Sequence, residues 1–493
     1  MSCKFNKAMY SAIVLCTVLP LTLSGQALVW QTNEGGVYNE VGQAGIQADD
    51  GSYIVFGSTY SYGAGDFDMY LLKLNSAGDT IWTATYGGDS TEYGYDIQQT
   101  TDGGYILVGS TRSFGSGKRD VYLVKVDSVG QTVWSRTYGG ADNDEGCSVR
   151  VTGDGYIICG TTSSRGAGYS DLYLIRTNTV GDTLWTKTFG GVGGESGSAV
   201  REVTGGGFVA VGSTGSFGEG YSSIYLVRVD ASGDSLWAVT LGGDKADFGS
   251  GIEIAPDGGF VIIGSTASYG SGYSDAYLIK TDLAGVPTWQ QTFGGSNDDR
   301  GYSVRPTRDG GYVIAGTTES FGAQGIDIYI IRTDLFGNHI WSQKYGGSKS
   351  DFGRMVFQDQ ARDYMVVGYS YSYSNGGSDI YIAKLGGDAT PVEDENLPGI
   401  SSGYVLSQNY PNPFNLTTRI DYTLPRRAAV SVIIYNILGQ AVRHWQLESQ
   451  PAGSYSVDWD GRNSWGGEIS SGIYFVQMKT EEFSDSRKMV LIK

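Results

Sequence analysis

The chain is poor in the residues on which much catalytic and metal chemistry depends. Its 493 residues include two histidines, His339 and His444, and four cysteines. The histidines fall in different parts of the sequence, one in a turn of a repeat and one in the C-terminal segment. Neither supports a Ser–His nucleophile pair or a histidine metal shell. Positive charge is also scarce: 34 Lys and Arg stand against 52 Asp and Glu, a formal net charge of −18. That balance argues against a sequence-independent grip on nucleic-acid phosphates and against docking on an anionic membrane. Proline is rare, at 10 residues, and little in the chain reads as helix. Past residue 27 no apolar run is long enough to cross a bilayer as a helix, so an integral membrane protein is not expected. Nothing calls for a cofactor or a resident metal.

Glycine and tyrosine are abundant, at 76 and 35 residues. Seven tryptophans, Trp30, Trp82, Trp134, Trp185, Trp237, Trp289 and Trp341, recur every 51 or 52 residues. A fixed period of this size marks a repeat architecture. Each Trp is followed by a Gly-Gly pair and then by an acid two residues before a further Gly: Glu40, Glu92, Asp144, Glu195, Asp247, Asp299 or Asp351. Within a unit, an apolar run after an Asp-Gly-Gly turn, Gly104 to Gly109, and the alternating run Asp120 to Asp127 read as short β-strands. The acid-x-Gly segment and the Trp segment supply two more. Four strands in roughly 50 residues make one blade of a β-propeller. The array opens with an isolated Trp strand, Leu28 to Thr32, and closes with a unit, Asp351 to Leu385, that has no Trp strand after it. The orphan is expected to complete the last blade and close a ring of seven.

Lys4 and Lys7, an apolar stretch from Ala8 to Leu23, then Ser24, Gly25 and Ala27 read as a secretory signal peptide over residues 1–27. Two cysteines, Cys3 and Cys16, fall inside it. Cys147 and Cys159 lie on neighbouring strands across the turn Thr152 to Gly155. A disulfide in an oxidising compartment and two separate buried thiols both remain open.

After Leu385 the period stops. Residues 386–402 are acidic and proline-bearing and read as a linker. Residues 403–493 carry six or seven further strands, enough for a small β-sandwich. Several ordered motifs here resemble a known family: Asn409-Tyr410-Pro411-Asn412-Pro413-Phe414-Asn415, Tyr422-Thr423-Leu424-Pro425, Ile434 to Gln440, Pro451-Ala452-Gly453, Trp459 to Asn463, Ser471 to Phe475, and Arg487 to Lys493. Together they resemble the type A C-terminal sorting domain of the type IX secretion system, itself similar to the immunoglobulin-like domain of the flagellar hook-capping protein. The resemblance covers about a fifth of the chain. It implies export, recognition by an outer-membrane translocon as partner, and release or attachment at the outer cell surface. The residues it singles out are Tyr410, Pro411, Asn412, Pro413, Phe414, Gly439, Gly472, Tyr474, Lys488 and Lys493. The Asn415-Leu416-Thr417 sequon lies inside the motif and reads as structural. The repeats resemble those of secreted bacterial propeller proteins with Asp-Gly-Gly-Tyr and Trp-x-x-Thr-Tyr-Gly-Gly signatures, from which no common activity follows. They are not kelch units.

The expected fold is therefore all-β: a seven-bladed propeller of four-stranded blades, residues 28–385, followed by a small Ig-like sandwich. The seven recurring acids could ring the channel mouth and hold a hard cation. Equal use in every blade favours a backbone hydrogen-bonding role instead. Recurring aromatics, Tyr62, Phe114, Phe217, Tyr269, Phe321 and Tyr373, with Arg165 as the exception, are expected to pack the loop or the next blade. Aromatics that break the repeat, Tyr60, Phe67, Tyr169, Tyr221, Tyr273, Tyr369 and Tyr371, are the candidates for stacking on a sugar or burying in a protein interface. The resulting expectation is a secreted or cell-surface binding or structural module with a glycan or protein ligand, and not an enzyme. The alternative is an extracellular glycoside hydrolase or polysaccharide lyase working through two unequal carboxylates; the acids outside the repeat, Asp66, Glu219 and Glu319, are scattered over different blades and read as solvated loop charges.

Overall fold

The computed structural model describes residues 26–321, 325–374, 376–387, 405–415, 417–424, 428–436, 440–450, 453–464, 466–480 and 483–492. Most of the signal-like stretch and of the linker, together with Gly439, Lys493 and Leu416, lies outside the described residues. The chain divides after Asp388 into two compact units.

The first unit is a ring of seven four-stranded antiparallel sheets. Its opening strand is β1 (Leu28–Glu34), and the first blade follows as β2 (Glu40–Gln47), β3 (Tyr53–Thr59), β4 (Asp68–Leu74) and β5 (Thr80–Tyr86). Burial explains the composition of each strand. β3 is buried at every residue, and β4 at all but one. Such strands read as continuous β-branched and aromatic runs because both faces are covered by neighbouring blades. β5, on the rim, is exposed or half-buried along most of its length.

The recurring residues are explained by contacts between blades. The Trp30 ring lies 6.0 Å from Tyr53 of the next blade, and the same pairing recurs as Trp134–Tyr156, Trp237–Phe260 and Trp289–Tyr312. Six of the seven indoles also cover the glycine of the neighbouring turn: a Cβ on Gly78 would lie 2.8 Å from Trp30. β2 carries a bulge between Gly42 and Ala44, repeated in the first strand of all seven blades. The bulge pushes a carbonyl toward the second strand, so a Cβ on Gly57, Gly109 or Gly160 would meet it at 1.8 Å.

Closure follows the expected scheme. β1 pairs antiparallel with Asp379–Leu385, from Leu28 opposite Leu385 to Glu34 opposite Ile380. The seventh sheet thus joins both ends of the propeller.

The second unit is a two-sheet sandwich. One sheet pairs Val405–Leu406, Thr418–Leu424 and Gly453–Trp459; the other orders Ala441–Gln450, Ala428–Asn436, Gly472–Lys479 and Ser484–Leu491. Phe414, Ile420, Trp459, Tyr474, Val476 and Met489 fill its core. No helix among the described residues is long and apolar enough to cross a membrane.

Candidate functional site

On one face of the ring, the loop after the second strand of each blade meets the segment that enters the next blade. Every recurring acid joins this seam by its backbone, as in Glu92 N–H donating to Phe67 O at 2.6 Å, Glu195 to Ser170 at 2.8 Å and Glu40 to Ser378 at 2.6 Å. The seven side chains are 0–1% exposed. Each carboxylate accepts from the second glycine of its Gly-Gly pair, at 2.7 Å for Gly36 on Glu40 and 2.8 Å for Gly140 on Asp144. Glu40, Glu92 and Glu195 also accept from a Thr hydroxyl and a Ser amide of the second-strand loop. Asp144, Asp247 and Asp299 are shorter and take the Ser hydroxyl instead, at 2.6–2.7 Å. The repeated acids thus act as loop staples. Among the described residues no group of three or more His, Cys, Asp and Glu is placed to hold a metal.

A second set of acids escaped notice in the sequence. Asp68, Asp120, Asp171, Asp275, Asp327 and Asp379 open the third strands and are at most 3% exposed. The first glycine of each Gly-Gly pair sits between the two sets: a Cβ on Gly87 would lie 1.6 Å from Asp68 Oδ1 and 2.4 Å from Glu92 Oε2. Burial, with the facing Glu92, pushes Asp68 up to about 6. Burial and Asp299 do the same to Asp275. The recurrence of this Asp before each Tyr-Leu run was the available signal. Blade four departs from it with Ser223, beside a cavity of about 280 Å³ that Glu219 also lines.

The recurring aromatics pack as expected. Tyr62, Phe114 and Tyr269 lie 5.5–5.7 Å from Tyr70, Tyr122 and Tyr277 of their own blades. Tyr62 and Tyr269 also donate to the Gly-Gly carbonyls of Gly35 and Gly242. Arg165, the exception, makes the equivalent bond to Gly139 O at 3.3 Å.

The seven non-repeating aromatics separate into two groups. Tyr60 and Phe67 pack 5.1 Å apart, Tyr60 against Tyr38 and Phe67 against Tyr93. Tyr369 stacks on Phe352 at 4.6 Å, with Tyr371 at its edge and Arg354 donating to its hydroxyl. Tyr169, Tyr221 and Tyr273 stand apart from such packing. They occupy one loop position on three consecutive blades and are 84%, 91% and 77% exposed. Val192, in the adjoining seam, is 85% exposed.

Cys147 and Cys159 are free thiols. The bulge explains why: Ser148, not Cys147, lies opposite Cys159. Burial pushes Cys147 up to about 12 and Cys159 well above its ordinary value, so both are unreactive thiols. His339 opens the rim strand His339–Tyr345 with Phe293 as its ring neighbour. His444 Nε2 lies 2.7 Å from Ser431 Oγ on an exposed strand pair.

In the sandwich, the structure joins the Tyr410–Phe414 segment to the last strand. Phe414 is buried, 5.4 Å from Trp459, and its amide donates to Val490 O while its carbonyl accepts from Ile492. Asn412 accepts from Val490 N–H at 2.7 Å and donates to Lys488 O. Pro411 O accepts from Asn409 and Thr418, and Tyr410 pairs with Arg419. The Tyr410–Pro411 and Asn412–Pro413 bonds are cis. Tyr474 packs on Trp459, Gly472 opens its strand, and the Lys488 side chain is exposed.

Residues 415–483 match the model of the FlgD Ig-like domain. The regulatory protein FlaEY of Caulobacter vibrioides is 25% identical over 360 residues, which are 68% of this chain and 35% of that protein. The chain thus spans about a third of that relative's length. Among solved structures, the Pan2 WD40 domain of Neurospora crassa is similar at TM-score 0.44 and 11% identity, over 70% of this chain and 88% of that one. PorZ of Porphyromonas gingivalis, described as an essential bacterial surface component of the type-IX secretion system, is similar at TM-score 0.38 and 10% identity, over 89% of this chain and 58% of that one.

Proposed function

We propose that this chain is a secreted or cell-surface recognition module, not an enzyme, whose propeller is cargo for type IX export directed by its C-terminal Ig-like domain. The observation that carries the binding reading is the row Tyr169, Tyr221 and Tyr273, which the fold leaves exposed on three successive blades. The repeated loop aromatics nearby each pack a ring of their own blade and are only 38–55% exposed, and the repeated acids are buried in the seam. Flat, amphipathic phenol rings spaced along one arc suit stacking on the successive sugar units of a glycan, or the core of a protein interface. The carboxylate pairs of the seam lie sealed beneath the Gly-Gly loops, which suits loop stapling better than hydrolysis.

The export reading is supported by the match of residues 415–483 to an Ig-like domain of the hook-capping kind and by the union of Tyr410–Phe414 with the strand Ser484–Leu491. Its test is fractionation of cells producing the chain with and without residues 403–493. Surface or medium recovery only with that segment supports the route; equal recovery without it refutes the route. A glycan-array screen with parallel polysaccharide-turnover assays tests the binding reading. Saturable binding without released products supports a recognition module, and released oligosaccharides would replace it with the hydrolase or lyase alternative.

A further inference from the structure

The first strand of every blade sends one side chain from near its end into the channel, at the mouth opposite the loop tyrosines. At this position the sevenfold repeat fails. Four consecutive blades supply Arg150, Arg201, Glu253 and Arg305, and the other three supply Phe357, Ile46 and Gln98. A charged arc therefore faces an apolar and amide-bearing arc across a cavity of about 520 Å³. That volume is within the range, about 300–1,000 Å³, of small-molecule sites.

The charges do not balance. Arg201 holds Glu253 with Nε and Nη2 at 2.9 and 2.7 Å, and Arg305 Nη1 reaches the same carboxylate. Arg150 Nη1 donates to Asp96 at 2.6 Å. Three guanidinium groups thus share two carboxylates, in side chains only 10–21% exposed. Arg308 adds a further positive charge at the mouth, whereas on the same wall Lys384 is shared by Asp359 and Asp363, at 2.9 and 3.0 Å. Among the described residues Arg150 reaches its protein partners, Asp96 and Val149 O, through Nη1 alone, so its Nε–Nη2 edge is left over. Burial, then the nearness of Arg201 and Arg305, brings Arg150 down to about 10. A network that merely sealed the channel would be expected to pair its buried charges, since an unpaired buried charge is costly. Here an excess of positive charge is focused at the mouth of a molecule of net charge −18.

We propose that this mouth of the channel binds a small hydroxylated organic acid, of the sugar-acid class, with its carboxylate on the free Arg150 edge. The guanidinium fork matches a carboxylate bidentately. Gln98, on the blade next to Arg150, is placed to meet the hydroxyls, while Phe357 and Ile46 cover the apolar face of the ring. The site lies on the opposite face from the tyrosine row, and its failure would leave the loop reading untouched.

The test is calorimetric titration of the full-length chain at low ionic strength with galacturonate, with neutral galactose and with inorganic phosphate. Galacturonate is expected to bind once per chain and galactose not at all. Arg150→Gln should weaken binding by at least about tenfold, the effect of losing a charge-assisted pair. Glu253→Gln should strengthen it several-fold by removing the internal competitor. If either core variant fails to fold, Arg308→Gln, at an exposed side chain, should still weaken binding and steepen no salt dependence. Absence of galacturonate binding, equal binding of galactose, binding of phosphate alone, or unchanged affinity in a folded Arg150→Gln protein would each overturn the proposal.

Discussion

Gly160 stands where the neighbouring bulge thrusts the Glu145 carbonyl to 1.8 Å from any added Cβ. Neither partner is a flexible side-chain end, so Gly160→Ala has to displace backbone. The expected loss is about 3 kcal/mol or more, read by denaturant unfolding. The same glycine recurs at Gly109 and Gly212, and its repetition was visible in the sequence, but its cause was not, because a bulge leaves no compositional mark. Titration supplies a second residue-scale prediction. Asp68 and Asp275 hold their protons up to about 6, against 3.8 for a free side chain. Between those values the native state binds more protons than the unfolded chain, so these groups make stability fall as pH rises from about 4 to about 6. Asp50 and Asp102, held down to about 2 by hydrogen bonds and lysine partners, act in the opposite window and lose their contribution below about pH 4. The melting temperature should therefore peak near pH 4–5, and Asp275→Asn should flatten the fall toward neutrality and melt higher than the parent at pH 7.5. A Tm that rises steadily from pH 4 to 7 would contradict this.

At the scale of the element, the orphan strand was legible because Trp30 is in phase with six other tryptophans. The structure gives that phase its meaning, since Trp30 clamps the last blade onto Tyr53 of the first. Trp30→Ala should cost about 2–3 kcal/mol, somewhat less than a fully buried aromatic, measured by urea unfolding. Removing Leu28–Glu34 should do more, exposing Asp379–Leu385 as an open edge and promoting self-association visible by light scattering. The sandwich was also readable, as six or seven strands over residues 403–493, and the described residues there form seven. What sequence could not supply was the pairing of Tyr410–Phe414 with a strand some 75 residues later, a non-local contact. Asn412→Ala should lower hydrogen-exchange protection at Val490 by about tenfold, the value of one or two lost hydrogen bonds.

Taken as a whole molecule, the repeat both reveals the fold and conceals the function. Residues that recur from blade to blade, such as Glu92 and Phe114, turned out to serve the ring. The proposals rest on departures from the repeat, and those were only partly legible. The exposed tyrosines could be picked out from sequence, whereas Tyr60, Phe67 and Tyr369 looked equivalent until their ring partners were seen. The arginine arc was invisible because no alignment of single strands announces which side chains face one channel.

The most direct test of the recognition reading is equilibrium binding of full-length protein to the best glycan or protein hit from an array screen, compared with a Tyr169→Ala/Tyr221→Ala/Tyr273→Ala variant of unchanged melting temperature. Loss of binding by about tenfold or more is the predicted result, each stacked aromatic contributing roughly 0.5–1.5 kcal/mol. Unaltered affinity in the triple variant would contradict the account and move the search away from this face of the propeller.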